Sequence, residues 1–164
     1  MRYMLLTPAD QEALLKDLSA MPDLVSDVFA GLSQEEARLG GAEGLSPVEQ
    51  CWHLADLERE GYGVRIQRLL TEDNPTLADF DGARIARERD YKSLSLADGI
   101  SAFRRARADN LAALRALSDA AWERRGTQEG VGSIGLCDVP AMMTQHDAAH
   151  RGEIEDWVND YRKR

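Results

Sequence analysis

Along this chain, stretches in which apolar residues return every three or four positions alternate with stretches that have no period, and the first kind marks helices. The opening stretch, PADQEALLKDLSAMPDLVSDVFAGL, has Thr7 or Asp10 as its candidate cap. Pro22 falls inside it, and because proline lacks a donor and crowds the preceding turn, the pattern predicts one interrupted helix. A short capped turn and a run of glycines follow in GLSQEEARLGGAEGLS. The second helix opens at SPVEQ, with Ser46 as N-cap, Pro47 at the first helical position and Glu49 three residues after the cap, and it extends to about Leu70. Val48, Ala55, Tyr62, Ile66 and Leu69 form its broad apolar stripe; His53, Leu57 and Val64 share a face to one side. TEDNPTLADFDGARIARERDYKS carries Pro, Gly and many charges without a period, so it reads as a long connection. A third helix is predicted over SLADGISAFRRARADNLAALRALSDAAWE, capped by Ser95 with Asp98 in its first turn. Glycine-rich RRGTQEGVGSIGLCD then leads to a fourth helix from near Val139 to about Tyr161. No segment predicts a convincing strand, and no internal repeat is present.

Four long helices with one apolar side each predict an all-α fold, a four-helix bundle forming a single domain over residues 1–164. Antiparallel neighbours need only a short loop, so the long connection after helix 2 predicts a crossover that leaves helices 2 and 3 parallel. The 164 residues, 43% apolar, suffice for one core. A net charge of −9 opposes both nucleic-acid phosphates and anionic lipid, so neither is an expected partner. The N-terminal MRYMLLTPADQEALL meets Pro8 and Asp10 before a signal-peptide core could form, and no apolar run reaches membrane-spanning length, which gives cytoplasmic location as the expectation. Cys51 and Cys137 are far apart and outside any C-x-x-C pattern; two small buried hydrophobes are expected rather than a disulfide or a catalytic thiol.

The chemistry concentrates in MMTQHDAAHRGEIEDWV, residues 142–158. At roughly 100° per residue, Leu136, Val139, Met143, His146, His150, Ile154, Trp157 and Tyr161 fall on one arc of the fourth helix, about 80° wide. Both histidines thus lie in a core-facing stripe, where an imidazole without a partner loses its hydration and two protonated rings one turn apart repel. A divalent cation resolves both problems by accepting a lone pair from each neutral ring. His53, the third histidine, lies at a comparable depth in helix 2 and completes a set of three. The bland alternative is three hydrogen-bonded core histidines, and spacing alone leaves it open. A ferritin-type dimetal site wants Glu-x-x-His pairs, whereas Gln50, Met143 and Asp147 stand three residues before the histidines.

SPVEQCWHLADLE and HDAAHRGEIEDWV resemble the two signature regions of the DinB-like (DinB/YfiT) superfamily, over nearly the whole chain. Leu45 stands where that family often has tryptophan. The resemblance implies a four-helix bundle with the long connection between helices 2 and 3, homodimerisation, and one divalent ion held by His53, His146 and His150. It also implies thiol-dependent chemistry, as in bacillithiol and mycothiol transferases or isomerases. The functional expectation is therefore a metal-dependent transferase acting on a small thiol or its conjugate, with a metal-dependent hydrolase or a non-catalytic metal- or ligand-binding module of stress response as alternatives. Zinc and nickel lead the candidate ions, ahead of manganese and iron, since imidazole suits them all.

Asp56, Asp147 and Glu153 are the candidate catalytic or ligand-orienting carboxylates, each within a turn of a histidine; ordinary solvated helix charges are the competing reading. FRRARADNLAALR is a basic patch that could meet an anionic substrate or simply pair with neighbouring acids. Val25, Val28 and Phe29 of the first helix are the expected apolar surface for a second copy of the chain.

Overall fold

A computed structural model describes residues 7–41 and 44–164. Met1–Leu6 of the N-terminal reading, and Ala42 and Glu43 of the glycine-rich turn, lie outside the described residues.

Helix α1 spans Pro8–Phe29, and its Thr7 N-cap accepts from the Asp10 backbone while Asp10 reaches back, a complete capping box. Pro22 sits within this helix and does not divide it. Helix α2, Pro47–Asp56, begins with the capping box of Ser46 and Glu49. It runs directly into a π-helical turn, Leu57–Tyr62, and on into α3, Gly63–Thr71. Helix α5 spans Leu96–Arg115, and α7 spans Val139–Arg162. The expected third helix therefore stops short of Glu123: Ser118 caps a separate turn, α6, Asp119–Trp122.

Two segments taken as featureless have structure. The long connection holds β1 (Thr76–Leu77) and α4 (Gly82–Arg89), and the glycine-rich segment folds into β2 (Arg125–Gln128) and β3 (Gly132–Gly135). β2 pairs with β3 antiparallel and with β1 parallel, a three-stranded sheet in the order β1-β2-β3. Strands of two to four residues are too short to write an alternating pattern into the sequence.

Contacts fix the helix directions. Cys51 lies against Gly99, Arg107 bonds Glu58, and Gly63 lies against Asn110, so α2–α3 and α5 run parallel, as the crossover requires. Glu12 pairs with Arg115 and Asp23 with Arg104, so α1 is antiparallel to α5. Phe29 meets Trp157 edge to face, with ring centroids 5.7 Å apart. α5 packs on both α1 and α2, and α1 on α7. Leu15, Leu18, Leu57, Tyr62, Leu111 and Met143 fill one half of the core; Met21, Val25, Phe29, Leu54, Phe103 and Ile154 fill the other. Val25 and Phe29 are thus spent in the chain's own core, and of the three residues expected to face a second copy Val28 alone is half-buried. Both cysteines are buried and outside any disulfide, and burial pushes the Cys51 thiol up to about 12, so it is inert at neutral pH. No helix among the described residues is long and apolar enough to cross a membrane.

One buried ionic cluster ties four elements together. The Arg107 guanidinium donates to Asp147 Oδ1 and Oδ2, each at 2.8 Å, to Glu58 Oε1 at 2.8 Å and to the Leu18 carbonyl at 2.9 Å. Burial alone would make this arginine less basic, but Asp147 and Glu58 outweigh it and hold the proton on. Asn110 Nδ2 donates to the Glu58 carboxylate and to its carbonyl, the carbonyl that closes the π-turn through the Gly63 N–H.

Candidate metal centre

α2 and α7 bring His53, His146 and His150 together: each offers a ring nitrogen, and these three atoms lie within 4.8 Å of one another. Among the described residues this histidine cluster is the one that could hold a metal ion; neither cysteine joins it. The ring centroids of His53 stand 5.0 Å from His150 and 5.7 Å from His146, and the α7 pair is 4.3 Å apart.

The tautomer of His150 follows from its neighbours. Glu153 Oε2 accepts from Gln50 Nε2 at 2.6 Å, because an amide nitrogen can only donate. That turns Gln50 Oε1 toward His150 Nδ1, 2.7 Å away, so Nδ1 carries the hydrogen and donates it. Glu153 Oε2 itself is 3.1 Å from the same nitrogen. The lone pair of His150 is then on Nε2, which faces His146 Nε2 at 3.1 Å. Nitrogens about 2.1 Å from a common ion stand roughly 3 Å apart, so this spacing fits a cation between them. Burial, then the mutual repulsion of the rings, pushes His53 down to about 4 and His146 down to about 3; burial also lowers His150. All three rings are neutral at physiological pH, the state that ligates.

The site opens on a cavity of about 400 Å³ lined by His53, His146, Leu57, Tyr62, Arg65, Asp79, Phe80, Gln128, Met142 and Gln145. The long connection supplies one wall. Gly82, at the start of α4, is held so close to His53 that a Cβ there would lie 2.6 Å from the ring Cε1 and 3.0 Å from Nδ1.

The three candidate carboxylates go to three different places. Asp147 is turned away from the cavity into the Arg107 cluster. Asp56 is buried and accepts from Arg59, from Arg89 at 2.7 Å and from the Tyr91 hydroxyl at 2.6 Å, which fastens the connection to α2. Its burial would raise its pKa, but those three donors together lower it. Glu153 reaches the site, on the outer nitrogen of His150. The basic patch resolves into Arg107 in the core and Arg104 and Arg115 in surface pairs with acids. Sequence reasoning missed Gln50, Tyr62, Arg65, Gly82 and Gln128. Gln50 had a legible signal, one turn before His53 on the same helix; Gln128 sits in a strand too short to recognise.

The fold has a counterpart. The chain is similar to the structure of YfiT from Bacillus subtilis, described as a probable metal-dependent hydrolase with an unusual four-helix bundle topology. The two are 17% identical, with a TM-score of 0.86 over 97% of this chain and 91% of that one. No curated protein matches the sequence. The family model of the DinB superfamily matches residues 17–154, and the chain belongs to that superfamily.

Proposed function

We propose that the protein is a metal-dependent hydrolase of small molecules, with His53, His146 and His150 as the ligands of one divalent ion. The observation that carries this reading is the His150 lone pair aimed at His146 Nε2 across 3.1 Å, with a third imidazole nitrogen in reach and no carboxylate or thiolate in the set. A neutral hydrogen bond from His146 Nε2–H to His150 Nε2 is the alternative, but it uses only two of the three rings. Three neutral ligands leave coordination positions free, as catalytic sites do and closed structural sites do not. When bound, the ion supplies Lewis acidity toward water and toward a carbonyl oxygen.

The protein's own groups do the rest. Gln50 and Glu153 hold the hydrogen of His150 on Nδ1 and keep Nε2 available. Phe80, Leu57 and Met142 supply the apolar part of the cavity wall. Asp79, the carboxylate lining that cavity, takes the role expected of Asp56, Asp147 or Glu153 and accepts the proton of attacking water. The likeness to the probable hydrolase YfiT supports water as the nucleophile; the thiol-transferase expectation needs the same ion with a thiol in water's place.

Metal quantitation by mass spectrometry, with hydrolysis of small amides and esters and thiol transfer assayed in parallel, tests the reading. The expected result is one ion per chain in the parent, a large loss in His53→Ala, and metal-dependent hydrolysis. Equal stoichiometry in both proteins overturns the triad, and thiol transfer without hydrolysis overturns the reaction.

A further inference from the structure

Two residues that line the cavity beside the histidines are polar and buried, and each keeps one atom without a hydrogen bond. Arg65 is 6% exposed and Gln128 5%, and both line that cavity. Arg65 Nε and Gln128 Oε1 have no hydrogen-bond partner among the described residues. The guanidinium carbon of Arg65 lies 5.4 Å from the Tyr62 ring centroid, and that ring lies 6.3 Å from the ring of His146. Asp79 acts on Arg65 only through space, outside ion-pair distance. Arg107 shows what the same chain does with a structural buried arginine: it surrounds it with two carboxylates and a carbonyl. Leaving a guanidinium donor unmatched costs several kcal/mol in general, and such costs concentrate where a ligand completes the pairing.

The placement of Arg65 is a product of the π-turn. On an uninterrupted α-helix Val64 would lie within about 20° of His53 and Arg65 about 120° away. One extra residue taken into the turn sets the following segment back by roughly 100°. Val64 accordingly emerges 45% exposed, and Arg65 enters the cavity with His53.

We propose that Arg65 and Gln128 bind the carboxylate end of a small substrate whose neighbouring N–H or O–H meets Gln128 Oε1, as in an N-acyl amino acid. The proposal rests on the hydrolase reading for what becomes of that substrate: water adds to its acyl carbon, the C–N bond breaks, and the amine leaves with the proton. The Arg65 guanidinium carries one positive charge in a planar fork, the complement of a single carboxylate. Leu57, Tyr62, Phe80 and Met142 limit the rest of the molecule to a small apolar acyl group.

Titration of metal-loaded protein with N-acetylglycine, with neutral N-acetylglycinamide and with inorganic phosphate tests this, read by calorimetry and by the Arg65 Nε–H resonance in nitrogen-15 NMR. Saturable binding of the acid, at least about tenfold tighter than the amide, with a shift of that resonance, is the expected result. Arg65→Gln abolishes the preference for the acid and Arg65→Lys retains part of it; Gln128→Leu, which leaves the charge in place, weakens the acid. Equal binding of acid and amide, an unmoved Nε–H, or an Arg65→Gln protein that still prefers the acid overturns the proposal, as does phosphate binding tighter than the acid. His150→Ala separates the two readings. A preference for the acid that survives in that variant supports the carboxylate site independently of the metal, and a metal-loaded parent that then hydrolyses neither acid nor neutral substrates refutes the hydrolase; hydrolysis of acid and neutral substrates by the parent at equal rates does the reverse.

Discussion

Replacing Asp147 with alanine separates a structural carboxylate from a catalytic one, although the residue adjoins His146 in sequence. Asp147 is 3% exposed and accepts two hydrogen bonds of 2.8 Å from Arg107, which keeps Glu58 and the Leu18 carbonyl as its other partners. Removing one partner of a buried ion pair costs about 3–5 kcal/mol when the remaining charge is orphaned. Because Glu58 stays, Arg107 is not orphaned, and the lower end, about 3 kcal/mol, applies. At roughly 2–4 °C per kcal/mol for a domain of this size, the melting temperature of Asp147→Ala falls by roughly 6–12 °C. Thermal and urea unfolding measure this directly, and metal content and hydrolysis at a temperature well below the transition show what remains of the site. The expected outcome is a large loss of stability with metal stoichiometry kept. A variant that melts like the parent but has lost hydrolysis refutes the reasoning and returns Asp147 to the reaction.

Gln50→Leu removes the acceptor that fixes the His150 tautomer and weakens metal binding by on the order of tenfold, checked by competition with a chelator. Gly82→Ala pushes a methyl group into the His53 ring and lowers metal affinity, while its effect on the melting curve of metal-free protein is small. In chelator-treated protein, His53 at about 4 and His146 at about 3 lie below the ordinary imidazole value near 6.5 that the unfolded chain keeps, so the unfolded state binds more protons. Stability is therefore full above about pH 6.5 and falls as the pH drops toward 4, by up to about 3 kcal/mol from His53 alone; a flat profile across that window contradicts the burial argument. For Gly63→Ala, helix propensity predicts a gain of about 1 kcal/mol, whereas a Cβ 2.8 Å from the Glu58 carbonyl oxygen predicts a loss of about 1–3 kcal/mol. The clash wins, because the oxygen is backbone and Asn110 pins it, and a stabilised variant would show otherwise.

What the sequence made legible follows the reach of its periodicities. The capping box at Ser46, a cap near Thr7 and the eight-residue stripe of the last helix are local patterns, so α1, α2, α7 and the inward direction of His146 and His150 could be read directly. The parallel course of α2 and α5 followed from the length of one connection. The sheet was invisible because its strands are two to four residues long, and β1 pairs with β2 across some fifty residues of chain. A constant 100° step places Val64 on the histidine face, yet Val64 is exposed, because the helix changes its step at Leu57–Tyr62. The same assumption hid Arg65. The destination of Asp147 was beyond local reading, because it depends on Arg107, forty residues earlier on another helix.

The π-turn joins these observations into one physical account. Isolated π-turns are poorer hydrogen-bonding arrangements than the α-helix, and a chain retains one where its changed phase is used. Here one side of the turn is anchored: Glu58, inside it, takes Arg107 and Asn110, so the core's buried charges fix the turn against reverting to α-helix. Its other side delivers Tyr62 and Arg65 to the cavity that His53 and His146 line. The ionic cluster and the cavity are therefore two faces of one backbone irregularity. Substitutions in the Arg107 cluster that spare folding should rotate Arg65 out of the cavity before they disturb the histidines, because His53 precedes the turn and Arg65 follows it.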